Sequence, residues 1–360
     1  MRGSWCLALS LLMLGCGDDA QAPPSVSEEG GPGVDASTPP PSEDAALPDG
    51  GVRPPPPPPP PGPPPPPTLG EIRYVAAGVT RAVDPTTMAS RDVLAASYPG
   101  GLTRARAETH WDIRDPVTGR YMAQYLGAGK NGLYSVGPDN KATLVPFDGD
   151  ARIFAQPLIW AVANPAGDRI YLSSATGAFV AARKGADLSF AAPIAIGKSV
   201  RIVHDVSPDG LLAVVSGVKP IKWGDPENVV APRQFSIFRV LPDGTLGDDV
   251  SSQYAPFTST YNQSPHVRAD GRSLVHEGDD DGNTGDHLFV YTSGASSVEF
   301  FPKPFRDRDF NTPCALPDNR VVFWESVDTS YYLRIHDDVA KDTKSVVATP
   351  FPFSGYVRCR

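Results

Sequence analysis

The chain has 360 residues, a formal charge of -9 and 41 prolines. Twenty of those prolines and eight of the acids fall between Gly17 and Thr68, so the 292 residues from Leu69 to Arg360 are nearly neutral, with 33 acids and 30 bases. That length suits one large core or two modest ones, and the lack of a basic field argues against a nucleic-acid partner.

The chain opens with Arg2 and an almost unbroken apolar run from Trp5 to Leu14. The run is too short for a bilayer helix and has the length of a signal-peptide core. Leu11-Leu12-Met13-Leu14-Gly15-Cys16 resembles a bacterial lipobox. On that resemblance residues 1–15 are a signal peptide and Cys16 is the lipidated first residue of the mature protein. Acyl chains would then hold it at a membrane without a spanning helix. The plainer alternative is an ordinary cleaved signal with an incidental cysteine. Gly17-Asp18 puts no aspartate directly after the cysteine. By resemblance to Gram-negative lipoproteins, this implies the outer membrane and leaves the periplasmic or surface face open.

Residues 16–68 read as a tether. Few large apolar residues and dense Pro, Gly and Ser leave too little surface to bury against chain entropy, so the stretch is expected to be disordered. Pro54 to Pro61 and Pro63 to Pro67 are two proline runs split by Gly62. Together they would make a stiff polyproline II spacer of roughly 40 Å. A ligand for a proline-binding module is the other reading, but only Arg53 offers it a specificity residue.

From residue 69 onward a short phrase recurs: a turn with Asp or Asn and Gly, then four to six β-prone residues, then a second strand. The copies are Asp115-Pro116-Val117-Thr118-Gly119, Asn164-Pro165-Ala166-Gly167, Ser207-Pro208-Asp209-Gly210, Arg268-Ala269-Asp270-Gly271 and Leu316-Pro317-Asp318-Asn319. Such turns preset φ and tolerate positive φ, as tight hairpins require. Runs such as Leu211 to Ser216 and Arg320 to Trp324 are rich in strand formers. Second strands follow at Phe179, Phe235, His287 and Tyr331. No stretch of ten residues carries a helical stripe.

The copies begin near residues 115, 165, 207, 268 and 317. Radially repeated four-stranded sheets need about 40 to 50 residues each, with larger gaps where a loop is inserted. The long gap holds such a loop, roughly 218–232. With a divergent unit at Glu71 to Ala95, the pattern predicts an all-β chain forming a single β-propeller of about six blades over 69–360. Ile72 to Val75 is expected to complete the last blade and close the ring. The rival architecture is a pair of β-sandwiches. Ser264 to Gly271 and the following Asp280-Asp281-Gly282-Asn283 and Asp286 to Tyr291 resemble the β-propeller repeat of the TolB C-terminal domain. The resemblance covers about residues 108–338. It implies that fold but not TolB's partners, because the tether occupies the place of TolB's N-terminal domain.

Catalytic signatures are absent: there is no G-x-S-x-G, H-E-x-x-H, P-loop or G-x-G-x-x-G. The best polar constellation is positional. His110, His204, Asp205 and His266 all stand four or five residues before a turn aspartate, on what would be innermost strands. Gathered around the central channel they could hold a metal or move a proton, or simply be satisfied by neighbouring backbone. Asp279, Asp281, Asn283 and Asp286, with Asp280 between, have the alternate-oxygen spacing of a calcium loop. The closing glutamate is missing, and a solvated hairpin explains them equally. A divalent cation, calcium or zinc, is therefore the one cofactor these patterns could take.

Cys6 leaves with the signal and Cys16 is lipidated, which leaves Cys314 and Cys359 as an even pair in an oxidising compartment. A bond between them would pin the C-terminal strand beside the final blade. Trp111, Trp160 and Trp324 read as core, whereas Trp223, in the inserted loop, is the better exposed binding aromatic. Two functions compete. One is a membrane-anchored, noncatalytic binding or scaffolding propeller, expected to be monomeric, that recognises an envelope protein, peptide or glycan. The other is a propeller hydrolase or lyase using the channel His and Asp residues.

Overall fold

The computed structural model describes residues 70–105, 111–127, 130–149, 152–197, 200–217, 235–254, 261–279, 287–295, 299–300, 309–347, 351 and 357–359. The chain divides into two units at Pro63/Pro64, and the fold below is that of the second. The lipobox, the proline tether, His110, Trp223, Asp281, Asn283 and Asp286 lie outside the described residues.

Among the described residues the helical content is two 3-10 turns, Arg152–Phe154 and Ser251–Gln253. Everything else regular is antiparallel strand. Blade 1 contributes β1 (Ile72–Ala76), β2 (Val79–Val83) and β3 (Ser90–Leu94). Blade 2 holds β4 (Ser97–Tyr98), β5 (Leu102–Arg104), β6 (Ile113–Arg114), β7 (Tyr121–Leu126), β8 (Gly132–Val136) and β9 (Ala142–Leu144). Its inner strand is broken, since β5 and β6 pair with different parts of the same edge of β7. Blade 3 is β10 (Trp160–Ala163), β11 (Arg169–Ser174), β12 (Gly177–Ala182) and β13 (Ile194–Ala195). Blade 4 is β14 (Val200–Val206), β15 (Leu212–Gly217), β16 (Ser236–Val240) and β17 (Leu246–Asp249). Blade 5 is β18 (Tyr261–Val267), β19 (Ser273–Asp279), β20 (His287–Thr292) and β21 (Glu299–Phe300). Blade 6 is β22 (Asp309–Ala315), β23 (Val321–Val327), β24 (Ser330–Asp337) and β25 (Asp342–Ser345). A last strand, β26 (Val357–Arg358), joins blade 1 in the order β26-β1-β2-β3.

The ring therefore closes the opposite way from expectation. The last blade is complete from its own four strands, and the C-terminal strand supplies the innermost strand of the first, with Arg73 opposite Arg358 and Tyr74 opposite Val357. The expectation failed because the repeat begins with its innermost strand, and blade 1 starts at its second. Cys314, on the inner strand of blade 6, is bonded to Cys359 just past β26, with Cα atoms 5.7 Å apart. The bond thus ties the inner strands of the last and first blades together. Closure leaves no open sheet edge between those blades.

The turn chemistry explains why the repeat works despite its irregular copies. Gly119, Gly167, Gly210, Gly271 and Asn319 all have φ between 66° and 74°, where a residue with Cβ other than Asn or Asp is disfavoured. The turn carboxylate then caps the following backbone. Asp209 Oδ1 accepts from Leu211 N at 3.0 Å, and Asp270 Oδ1 accepts from Arg272 N and Ser273 N at 2.8 Å each. In blade 2, where Val117-Thr118 stand in place of the aspartate and the glycine comes one residue later, Asp115 instead accepts from Thr118 N at 2.9 Å. In blade 3, where Ala166 replaces the aspartate, Asn164 Oδ1 takes over and accepts from Arg169 N at 3.0 Å.

The core sits in the seams between blades. One cluster runs from Trp111 and Leu133 to Leu158 and Ile170, joining blades 2 and 3. Others join blades 3 and 4 (Tyr171, Val180, Val203), 4 and 5 (Ile237, Val267, Phe289), and 5 and 6 (Val275, Val290, Phe323). The rest join blades 6 and 1 (Trp324, Cys314, Tyr74) and 1 and 2 (Leu94, Tyr98, Tyr125). Trp111, Trp160 and Trp324 are 5%, 4% and 1% exposed, so all three are core as expected. Two of them also bolt seams: Trp111 Nε1 donates to Leu158 O at 3.2 Å and Trp160 Nε1 to His204 O at 3.0 Å.

Because each blade is an antiparallel meander, its first and third hairpins lie at one end and its second hairpin at the other. The repeat turns and both chain crossings into the ring, at Gly70 and Cys359, share the first end. A Cβ on Gly70 would run into the Cys359 carbonyl and approach Pro317 Cδ to 2.7 Å, so only glycine fits that crossing.

Candidate functional site

The innermost strands β6, β10, β14, β18, β22 and β26 surround the channel. Three of them are bulged at one repeated place. The pairing of β14 slips between Val203 and Asp205, that of β18 between Gln263 and His266, and that of β22 between Asn311 and Cys314. Each slip ends four residues before the turn aspartate (Asp209, Asp270, Asp318). A bulge adds a residue and re-aims the side chains beside it, which places Asp205, His266 and Cys314 around one mouth of the channel. That mouth is a cavity of about 100 Å³ at the repeat-turn end, also lined by Arg73, Asp112 and Arg358.

Two of the four expected residues, Asp205 and His266, line that mouth, and His204 lies next to them against Trp160. Their geometry shows what they do. Asp205 is 4% exposed. Its Oδ1 accepts from Val206 N at 2.9 Å, and its Oδ2 accepts from Val267 N at 3.0 Å and lies 3.4 Å from His266 Nδ1. One carboxylate thus ties blade 4 to blade 5. His204 Nε2 is 2.9 Å from Ser216 Oγ. Burial holds its imidazole down at about 3, with His266 and Arg358 adding to the effect, so it is neutral at physiological pH and a weak base.

Three charged residues at the mouth escaped the sequence reading. Arg73 Nε donates to Asp112 Oδ2 at 2.6 Å, an ion pair with side chains 4% and 2% exposed that joins blades 1 and 2. Arg358 stacks its guanidinium 3.6 Å above the Trp160 ring and donates to Ala161 O at 3.2 Å. Cys359 carried the signal that could have found Arg358. Pairing it with Cys314 on an inner strand implies that its neighbour also faces the channel.

His110 and the Trp223 loop lie outside the described residues. Asp279 is the last residue of β19, and Asp280, Asp281, Asn283 and Asp286 follow it beyond the described residues, so the calcium loop lies outside them too. Among the described residues no three His, Cys, Asp or Glu side chains are grouped to hold a metal ion.

No family model matches the chain, and no curated protein sequence matches it. Solved structures do. A putative TolB from Agrobacterium tumefaciens superposes with a TM-score of 0.50 at 16% identity, over 78% of this chain and 89% of that one. TolB from Acinetobacter baumannii also gives 0.50, at 12% identity, over 80% of this chain and 65% of that one. An oligogalacturonate lyase from Vibrio parahaemolyticus fits less well, with a TM-score of 0.45 at 9% identity over 79% and 73% of the two chains. At such identities likeness speaks for fold alone: the chain carries a TolB-like six-bladed β-propeller.

Proposed function

We propose that the protein is a lipid-anchored, noncatalytic binding propeller of a bacterial outer membrane, acting as a monomer on an envelope protein, peptide or glycan. Cys16 would carry the acyl chains and the proline-rich stretch would space the ring from the bilayer. The observation that carries the noncatalytic part is Asp205. Both of its oxygens accept backbone N–H groups, one of them across the seam to Val267. A carboxylate with both oxygens so engaged is a brace rather than a proton carrier.

Two measurements test this. Intact-mass analysis of membrane-extracted protein should find acyl mass on a chain beginning at Cys16, and its absence removes the anchor. Incubation with lactone and polyuronide substrates should give no turnover above a His204→Ala, Asp205→Asn control. Turnover that the double variant abolishes would replace binding with a hydrolase or lyase reading.

A further inference from the structure

Five large hydrophobic side chains are conspicuously exposed among the described residues: Val117, Ile194, Leu211, Leu241 and Val339. Four of them sit in turns at one end of the ring. Val117 and Leu211 belong to the first hairpins of blades 2 and 4, and Leu241 and Val339 to the third hairpins of blades 4 and 6. Three of these four converge on blades 2 to 4. Val117 leans on blade 3, where a Cβ on Gly167 would come within 2.6 Å of its Cγ2. Leu211 and Leu241, 61% and 42% exposed, flank a groove of about 290 Å³ between blades 3 and 4, with Pro208 and Pro242 beside them. The size is near the lower end of ligand pockets and suits one or two aliphatic side chains.

Carboxylates outnumber cations around this groove: Asp168 and Asp209 line it, and exposed Asp243 stands next to Pro242. The one cation lining it, Arg169, is engaged within the protein: Nη1 donates to Asp168 Oδ2 at 3.0 Å and Nη2 donates to the Pro242 carbonyl. Hydrogen bonds from the Thr245 hydroxyl and N–H hold the Asp243 carboxyl below the usual range, so it stays ionised. An apolar floor with carboxylates on the rim complements an aliphatic side chain flanked by lysine or arginine. The same rim repels an anionic lipid surface.

We propose that the groove between blades 3 and 4 docks a basic peptide segment through an aliphatic anchor, with Leu211 and Leu241 receiving the anchor and Asp209 and Asp243 facing its cations. This deepens the binding reading above and rests on it. It sits away from the channel wall, so the two can fail separately: turnover at the channel would overturn the noncatalytic reading and leave the groove intact.

The test uses the full chain in detergent and a fluorescein-labelled Lys-Leu-Gly-Leu-Lys amide, its Glu-Leu-Gly-Leu-Glu counterpart, and phosphatidylglycerol vesicles. The basic peptide should bind saturably. Binding should weaken about tenfold in a Leu211→Ser, Leu241→Ser variant and several-fold in Asp243→Asn. It should also fall with added salt, as a screened charge interaction does. Val339→Ser, at the same end but on blade 6, should bind as the parent does, and unchanged melting of every variant shows that each is folded. No binding, equal binding of the acidic peptide, or indifference to the groove variants would each overturn the proposal. Vesicle binding lost on Leu211→Ser, Leu241→Ser would overturn it in favour of a membrane surface.

Discussion

Asp205 and Asp209 stand four residues apart on one hairpin, on either side of the boundary between the channel wall and the turn end. Asp205 is buried and gives both oxygens to backbone N–H groups of two blades. Asp209 is exposed, caps its own turn through Leu211 N, and borders the groove. Along the wall and seams, charges are desolvated and consumed by closure, as in Arg73–Asp112. Around the groove, Asp209 and Asp243 are solvated and sit beside uncovered leucines. A buried charge must be matched within the protein, so its chemistry is largely fixed. An exposed one retains its field for a partner.

If the wall is structural, breaking it should be costly. The largest effect is expected at the seam of blades 2 and 3, where Arg183 pairs with Asp115, the side chains being 6% and 1% exposed. Asp115→Ala leaves a buried guanidinium uncompensated and removes the turn cap, at a cost of about 3 to 5 kcal/mol. Urea unfolding that moves by less than a quarter of this would mean that the seam does not depend on the pair.

Next comes the ring clasp. Cys314 and Cys359 are 45 residues apart, and a loop of that length gives about 4 kcal/mol by chain entropy. Cys314→Ser, Cys359→Ser should therefore lower the denaturation midpoint to a similar degree. A thiol assay of the unreduced parent should find neither cysteine.

Acid should weaken the seams and spare the groove. His276 is stacked between Phe289 and Tyr291, with ring centroids 5.2 and 5.1 Å away, and burial pushes its imidazole down to about 4. Its folded value is below its unfolded value of 6.5. The stability is then complete above about pH 6.5 and is lost as pH falls toward 4, by roughly 3 kcal/mol. His276→Phe should flatten this slope in urea titrations between about pH 7 and about pH 4. An unchanged slope would assign the acid sensitivity elsewhere.

The smallest effect is the sharpest comparison. Leu211→Ser and Leu241→Ser should each change stability by less than about 0.5 kcal/mol, as exposed substitutions do. A loss above about 1 kcal/mol in thermal unfolding would show that the leucines belong to the seam between blades 3 and 4.

The all-β class, the six-blade count and the pairing of Cys314 with Cys359 were legible in the chain itself. They rest on local chemistry: a turn that needs positive φ at Gly210 or Asn319 and a strand that alternates. The copies at 115 and 165 were legible only as defects, because their replacement caps, Asp115 on Thr118 N and Asn164 on Arg169 N, depend on how the backbone folds. The gathering of His204, Asp205 and His266 could be foreseen from their places before the turns. Their roles could not, since Asp205 finds Val267 N only across a seam, 62 residues away. Arg73 and Asp112 carried no local signal because ring closure brings them together, and Arg358 was marked only by its neighbour Cys359. The direction of closure was likewise a tertiary decision. Either terminus could have completed a blade, and packing of Val357 and Cys359 against Ile72, Tyr74 and Cys314 selected the C-terminal strand.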